Sequence, residues 1–587
     1  MKLRRRGGIR RILGGKCLSL ALVGLIAGGT AAPRAALAWD PSSTLQSIAE
    51  AALLRSAWHV RWMEASELRL GAFTDLQLDP TLLDHSTRAW VSAAIRISHG
   101  DIGAHPLGGP GACPGPRAPI ELQRYCVDEN RWSLDAFGWL RLGMIAEGSP
   151  RSRLYHHFSQ LGDASAERWQ DSSDASKARL RGSFARRAGE PGAAAITGTS
   201  FDGASQSAAA FLASDDPLGP QALALHLEAA SLAETAAARE HHRALALICA
   251  GAIIRVVVDQ SVPAYARGDV ASFLMPLSRL QGDRGDALVE YVRSRGPAKL
   301  DGTQKAPSPG APRDGRPLAA GFVGHIHHGE GPTDSAAPAA ASTPGGLASF
   351  TASHFLSPGT LPAPMALAKG LDAEQAAQAL LGEGSGLAAE ELEGMHLSPW
   401  PAAEGYLLNA AGRPLAAFET DNYGDTYLFL DDAVLRDQAA HLIPRAVDHA
   451  TSILDLVFAG IETPTAMASG RILSLAVAEE MRNPELLLLV EDAEERRSGT
   501  GRTPLRPGEV NRIVGLPAAP KGGRVILVMQ WDTSDGVRLT SEFVVPVDGS
   551  ATNAETEPAS AVVSPPSAES AEPEAPEAPE ASEAESD

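Results

Sequence analysis

The chain has 587 residues, 44% of them hydrophobic and 5% aromatic, with 51 Lys+Arg against 71 Asp+Glu for a formal net charge of −20. It is too long for one ordinary core and too apolar for a disordered polypeptide. Residues 39–550 hold 43 basic against 61 acidic groups, which argues against a broad basic groove that binds duplex nucleic acid by counterion release; a local site for a phosphate ester remains open.

Residues 1–38 read as a signal peptide. Eight basic groups and no acidic one lie there, residues 17–28 form a short apolar run, and Ala36-Leu37-Ala38 is a small-x-small cleavage site. The run is too short to span a bilayer. The expected mature protein begins at Trp39, is exported to the periplasm or the extracellular space, and carries no transmembrane helix. Arg10-Arg11 leaves the Sec and twin-arginine routes both open.

Residues 39–296 carry helical signals at 45–54, 87–97, 134–145, 222–236 and 239–258, each rich in Ala and Leu with apolar spacing near 3.6. They predict a mainly α-helical, all-α first domain. Cys113 and Cys126 flank a Pro/Gly-rich stretch inside it. In an oxidising compartment they are the natural disulfide pair, the alternative being two thiols.

Residues 297–346 form a Pro/Gly/Ala-rich connector. Residues 347–460 predict a helical segment with a β-hairpin around 421–425, packing on the first domain, and a long helix that Asp431 caps and Pro444 kinks or interrupts. Residues 461–550 alternate short β-rich runs with Gly, Pro and Asp turns, as a smaller β-sandwich-like domain would. Residues 551–587 carry ten acidic and no basic groups among Pro, Ala and Ser, predicting a disordered, self-repelling tail.

Chemistry-bearing residues concentrate in three segments. Arg255 and Asp259 stand four apart on one helix face, and Pro263 ends that helix. Asp286 and Glu290 repeat the spacing. Glu147 precedes the pair His156-His157 and Phe158 by about ten residues.

Taken in order with Trp39, these residues resemble the zinc-dependent bacterial phospholipases C and the single-strand-specific nucleases of the same superfamily. The resemblance spans about residues 39–295. Leu415-Ala-Ala-Phe, Leu430-Asp-Asp-Ala-Val-Leu and Leu442-Ile-Pro-Arg-Ala-Val further resemble large exported bacterial proteins that carry such a domain. It implies a helical fold, phosphodiesterase chemistry and zinc, with Trp39, Glu147, His157, Asp259, Asp286 and Glu290 as metal ligands and Glu147, Asp259 and Arg255 at the catalytic centre.

The match is incomplete. Leu45 stands where the family has a histidine, Arg255 replaces the first His of its His-x-x-x-Asp-x-x-x-Pro-x-His pattern, Tyr265 replaces the second, and Asp286 replaces the first residue of its His-x-x-x-Glu. A guanidinium does not ligate zinc, so fewer than three ions are expected. Two readings follow. The protein is a non-catalytic binding or envelope-associated protein that has lost most zinc ligands, its partner an anionic phosphoester, a lipid headgroup or an envelope component. Alternatively it is a metal-dependent phosphodiesterase with a reduced metal set, in which Arg255 and Arg267 neutralise the phosphate.

Other features are weaker. His325-Ile-His327-His328 is a compact imidazole tract, His241-His242 lies on a helix a few turns short of the main constellation, and Trp58 and Trp62 share helical spacing. No Gly-x-x-x-x-Gly-Lys-[Ser/Thr], His-Glu-x-x-His or Gly-x-Ser-x-Gly motif occurs, so P-loop, zincin and nucleophile-elbow chemistry lack their signatures.

Overall fold

A computed structural model describes residues 39, 44–56, 58–59, 71–85, 87–88, 91, 132–147, 156–159, 207–269, 286–295, 322–326, 346–381, 385–459, 466–469, 472–479 and 481–545. In chain order, α1 is Thr44–Arg55, β1 Asp75–Leu78, β2 Trp132–Asp135, α2 Ala136–Glu147, α3 Ala208–Ala213, α4 Pro220–Leu232, α5 Ala236–Asp259, α6 Pro263–Ala266 and α7 Ala287–Arg295. Then come α8 Leu347–His354, β3 Met365–Ala366, α9 Ala373–Leu381, α10 Ala389–Leu392, β4 His396–Ser398, β5 Glu404–Leu408, β6 Pro414–Thr420, β7 Asp425–Phe429 and α11 Asp432–Leu454. The C-terminal strands are β8 Ala466–Ser469, β9 Ile472–Ala476, β10 Arg482–Glu491, β11 Arg497–Pro504, β12 Val510–Val514, β13 Arg524–Asp532 and β14 Arg538–Val545.

This architecture corrects the mainly α-helical fold class and the all-α first domain. Among the described residues, eleven α-helices share the chain with fourteen strands in four antiparallel sheets. One sheet lies inside the helical part, where β1 pairs with β2 from Leu78↔Trp132 to Asp75↔Asp135. Leu76 and Leu78 alternate with the exposed Asp75 and Gln77, so four residues suffice to bury one face. A second sheet, ordered β3-β7-β6-β5-β4, fills much of the segment expected to hold one hairpin. Its inner face packs Leu397, Leu407, Ala416 and Phe418 against Ala376, Ala377, Leu380 and Leu381.

α5 is the centre of the helical layer. Thr235 caps it by accepting the Ala238 N–H at 3.3 Å, and every residue from Ala244 to Asp259 is buried. By length and composition it is the one described helix that could cross a membrane, yet 89% of its apolar window is buried inside the protein. α2 crosses it at two glycines. A Cβ on Gly143 would lie 1.9 Å from the Ile248 carbonyl oxygen, and one on Gly251 would lie 2.0 Å from that of Leu140. This backbone-to-backbone approach is open only to glycine, and the two contacts set α2 antiparallel to α5.

Asp431 caps α11 through the N–H groups of Ala433 and Val434. The helix runs through Pro444 to Leu454 and continues as a π turn over Asp455–Ala459. Its buried face joins the same core as α1 and α5.

The C-terminal strands form two sheets, β11-β10-β13-β14 and β12-β9-β8. Leu486, Leu488, Val525, Leu527 and Met529 share a core with Leu473 and Leu475 of β9. Leu487, Leu489, Ile526 and Val528 face the other way, toward Leu232 of α4. A sheet covered on both sides explains why β10 is a continuous leucine run and not an alternating one. The same interface carries ions: Arg497 donates to Glu491 (2.8 Å), to the Ser231 carbonyl (3.0 Å) and to Glu542, while Arg239 reaches the Glu495 carbonyl (2.7 Å). The Cys113–Cys126 pairing, the signal peptide and the acidic tail all lie outside the described residues.

Candidate functional site

The end of α5 gathers three of the expected site residues. Asp259 Oδ2 accepts from Arg255 Nε at 2.6 Å and from His157 Nδ1 at 2.5 Å. The i,i+4 spacing on α5 makes the first bond local. The second bridges 102 residues and is anchored from the side, because Gln260 Nε2 donates to the His157 carbonyl at 2.6 Å and to the Val256 carbonyl at 3.1 Å. Tyr265 of α6 packs its ring on His157 and Phe158, with centroids 5.8 and 4.8 Å away. Arg255, Asp259 and His157 are each at most 1% exposed.

Trp39 reaches the same end of α5. Its indole N–H donates to Ser261 Oγ at 3.0 Å, with the Val258 carbonyl at 3.4 Å. Glu147 bonds His156 Nδ1 through Oε1 at 2.7 Å, and His156 stacks on Phe211.

The other two expected ligands serve elsewhere. Asp286 caps α7, accepting from the Leu288 and Val289 N–H groups at 2.8 and 3.3 Å. Burial pushes its carboxyl up to about 7; the nearby Asp269 charge adds to the rise, while backbone N–H donors from Leu288, Val289 and Ala264 oppose it. Glu290 lies on the partly exposed face of α7 and pairs with Arg293. Arg267, assigned to phosphate neutralisation, instead spends its guanidinium on the carbonyls of Ala352, Phe355 and Ser385.

The donors present do not fit zinc. A tetrahedral site needs lone pairs from several neutral imidazoles or carboxylates aimed at one point. Here Asp259 Oδ2 and His157 Nδ1 bond each other, Arg255 brings a fixed positive charge to the same carboxylate, and Glu147 is held by His156. Among the described residues no group of three or more His, Cys, Asp or Glu side chains is placed to hold a metal ion.

What the cluster does present is a set of unused hydrogen-bonding atoms. Arg255 Nη1 and Nη2, His157 Nε2, Asp259 Oδ1 and Gln260 Oε1 are buried without a hydrogen-bond partner. Buried polar atoms are nearly always satisfied, and each exception is expensive.

In two places sequence reasoning saw the local histidines, His241-His242 and His325, but missed their partners, His226 and His449. His226 of α4 stacks on His242 of α5 at 5.8 Å, and His241 meets His242 edge-on at 5.1 Å. Burial, with repulsion among the three rings, pushes His226 and His241 down to about 4. His325 meets His449 of α11 with Nδ1 atoms 3.0 Å apart, whereas His327, His328 and Trp62 lie outside the described residues. The short loop between α4 and α5 was the available signal for the first cluster, since it forces their histidines together. Nothing local signals a contact 124 residues apart. No protein-family model, no curated protein and no solved structure matches this chain.

Proposed function

We propose that this is an exported protein that binds an anionic phosphoester or lipid headgroup and does not hydrolyse it. On this reading it is a divergent relative of the zinc-dependent phospholipase C and nuclease superfamily, in which a guanidinium stands where a metal ion would have been. The observation that carries the reading is Asp259, whose Oδ2 takes Arg255 and His157 together at 2.6 and 2.5 Å. A carboxylate neutralised by a guanidinium is a poor general base and a poor metal ligand, and the imidazole bonded to it has its Nδ1 committed. The Nη1 and Nη2 groups of Arg255, left without partners by that pairing, favour an oxyanion as the partner.

The test is elemental analysis of the purified, dialysed protein combined with turnover of bis(p-nitrophenyl) phosphate and phosphatidylcholine. The reading expects less than one zinc per chain and no hydrolysis above buffer. Stoichiometric zinc together with turnover would replace it with the hydrolase.

A further inference from the structure

Resting on that reading, we infer that the Arg255–Asp259–His157 cluster binds a phosphate group that carries its own proton, meaning hydrogen phosphate or the monoprotonated form of a phosphomonoester, in preference to a phosphodiester or sulfate. Arg255 and His157 meet at a single oxygen of a third side chain, Asp259 Oδ2, and the far side of each of the three is buried and unpaired. On Arg255 these are Nη1 and Nη2, whose planar N–H groups match two oxygens of a tetrahedral oxyanion. A small anion would satisfy several of these donors at once.

The remaining atoms choose among anions. Asp259 Oδ1 and Gln260 Oε1 have no partner and can only accept. The carboxylate accepts at Oδ2, so His157 donates to it from Nδ1. The cluster therefore offers a donor fork beside acceptors. A hydrogen phosphate supplies oxygens for the fork and P–OH groups for the acceptors. Sulfate and phosphodiesters at neutral pH supply oxygens alone, and their charge would face Asp259 Oδ1 with no intervening proton. Leaving one buried acceptor unmade should weaken them about tenfold to a hundredfold. The ligand class is thus narrower than, and different from, the diesters that phosphodiesterases cleave.

The test is calorimetric titration of the full chain at about pH 5.5, where phosphate and a phosphomonoester both keep a proton, with inorganic phosphate, methyl phosphate, sulfate and dimethyl phosphate. Sedimentation is then run with phosphatidylcholine vesicles doped with phosphatidic acid or with phosphatidylglycerol. Expected is binding of phosphate and methyl phosphate about tenfold to a hundredfold tighter than sulfate and dimethyl phosphate. Selective capture by phosphatidic acid vesicles alone would also support the proposal and identify a lipid monoester as the source. Equal affinity for phosphate and sulfate, or no binding of any monoester, would overturn it. Asp259→Asn should shift selectivity toward sulfate, because an amide can donate, and Arg255→Lys should weaken both anions. The wild-type selectivity decides the matter even where a variant fails to fold. Hydrolysis of bis(p-nitrophenyl) phosphate with selectivity intact would retire the non-catalytic reading and leave this one standing; an inert, unselective protein would do the reverse.

Discussion

Asp286 gives the sharpest test of how the fold handles buried charge. Its carboxyl is 2% exposed, caps α7 through two N–H groups, and sits near Asp269. Burial is the main cause that takes it from 3.8 to about 7. Between these values the folded protein holds a proton that the unfolded chain has released, so the contribution of this one group is greatest below pH 3.8 and is lost as pH rises through 7. Each pH unit in the window is worth about 1.4 kcal/mol, and the full span about 4 kcal/mol, an upper bound. Asp286→Asn keeps an oxygen for the cap and removes the titration. Urea denaturation at pH 5 and pH 8 should show the variant gaining on the wild type by about 2–4 kcal/mol as pH rises. The comparison between proteins cancels every other titrating group. A difference that is the same at both pH values would refute the claim that this carboxyl is neutral when buried.

Three further outcomes follow from the packing. Gly251→Ala should destabilise by about 1–3 kcal/mol in urea, because the 2.0 Å approach to the Leu140 carbonyl forces α2 and α5 apart and outweighs the roughly 1 kcal/mol gained in helix propensity; a stabilised variant would contradict the close crossing. Arg497→Ala leaves Glu491 to Arg524 and Arg239, leaves Glu542 to Arg243, and removes the donor to the Ser231 carbonyl, so it should cost about 1–3 kcal/mol, read from the urea midpoint; a loss below about 0.5 kcal/mol would mean the C-terminal sheet docks by its apolar face alone. His226 and His241, pushed down to about 4 from 6.5, make stability fall as pH drops through that window, since the unfolded chain takes up protons first. His226→Gln should flatten this acid limb, and an unchanged slope would remove the ring from the account.

Why some of this was readable in the sequence and some was not comes down to range. α5 announces itself through a long apolar run, and the Arg255–Asp259 pair follows from helical spacing. The Asp431 cap is equally local. β1 and β2 were missed because each has four residues and its partner lies more than fifty positions away; Trp132-Ser-Leu-Asp135 also runs without a break into the apolar stretch of α2, so periodicity merges strand and helix. Glu290 illustrates the opposite error. Its spacing from Asp286 matched a ligand pattern, but α7 turns Asp286 inward as a cap and Glu290 outward to Arg293. The bond from His157 to Asp259 depends on how the turn at residues 156–157 is pinned by Gln260, which no pairwise spacing encodes. The β10 leucines predicted a strand correctly, yet only α4 behind the sheet explains why both its faces are apolar.

The central claim is that Asp259 is held by a guanidinium and an imidazole and is closed to metal. The most direct measurement is a crystal structure grown in millimolar zinc, with anomalous scattering recorded at the zinc edge. The account predicts Arg255 Nε and His157 Nδ1 on Asp259 Oδ2 and no anomalous peak beside them. A zinc peak bonded to Asp259 and His157, with Arg255 swung aside, would contradict it.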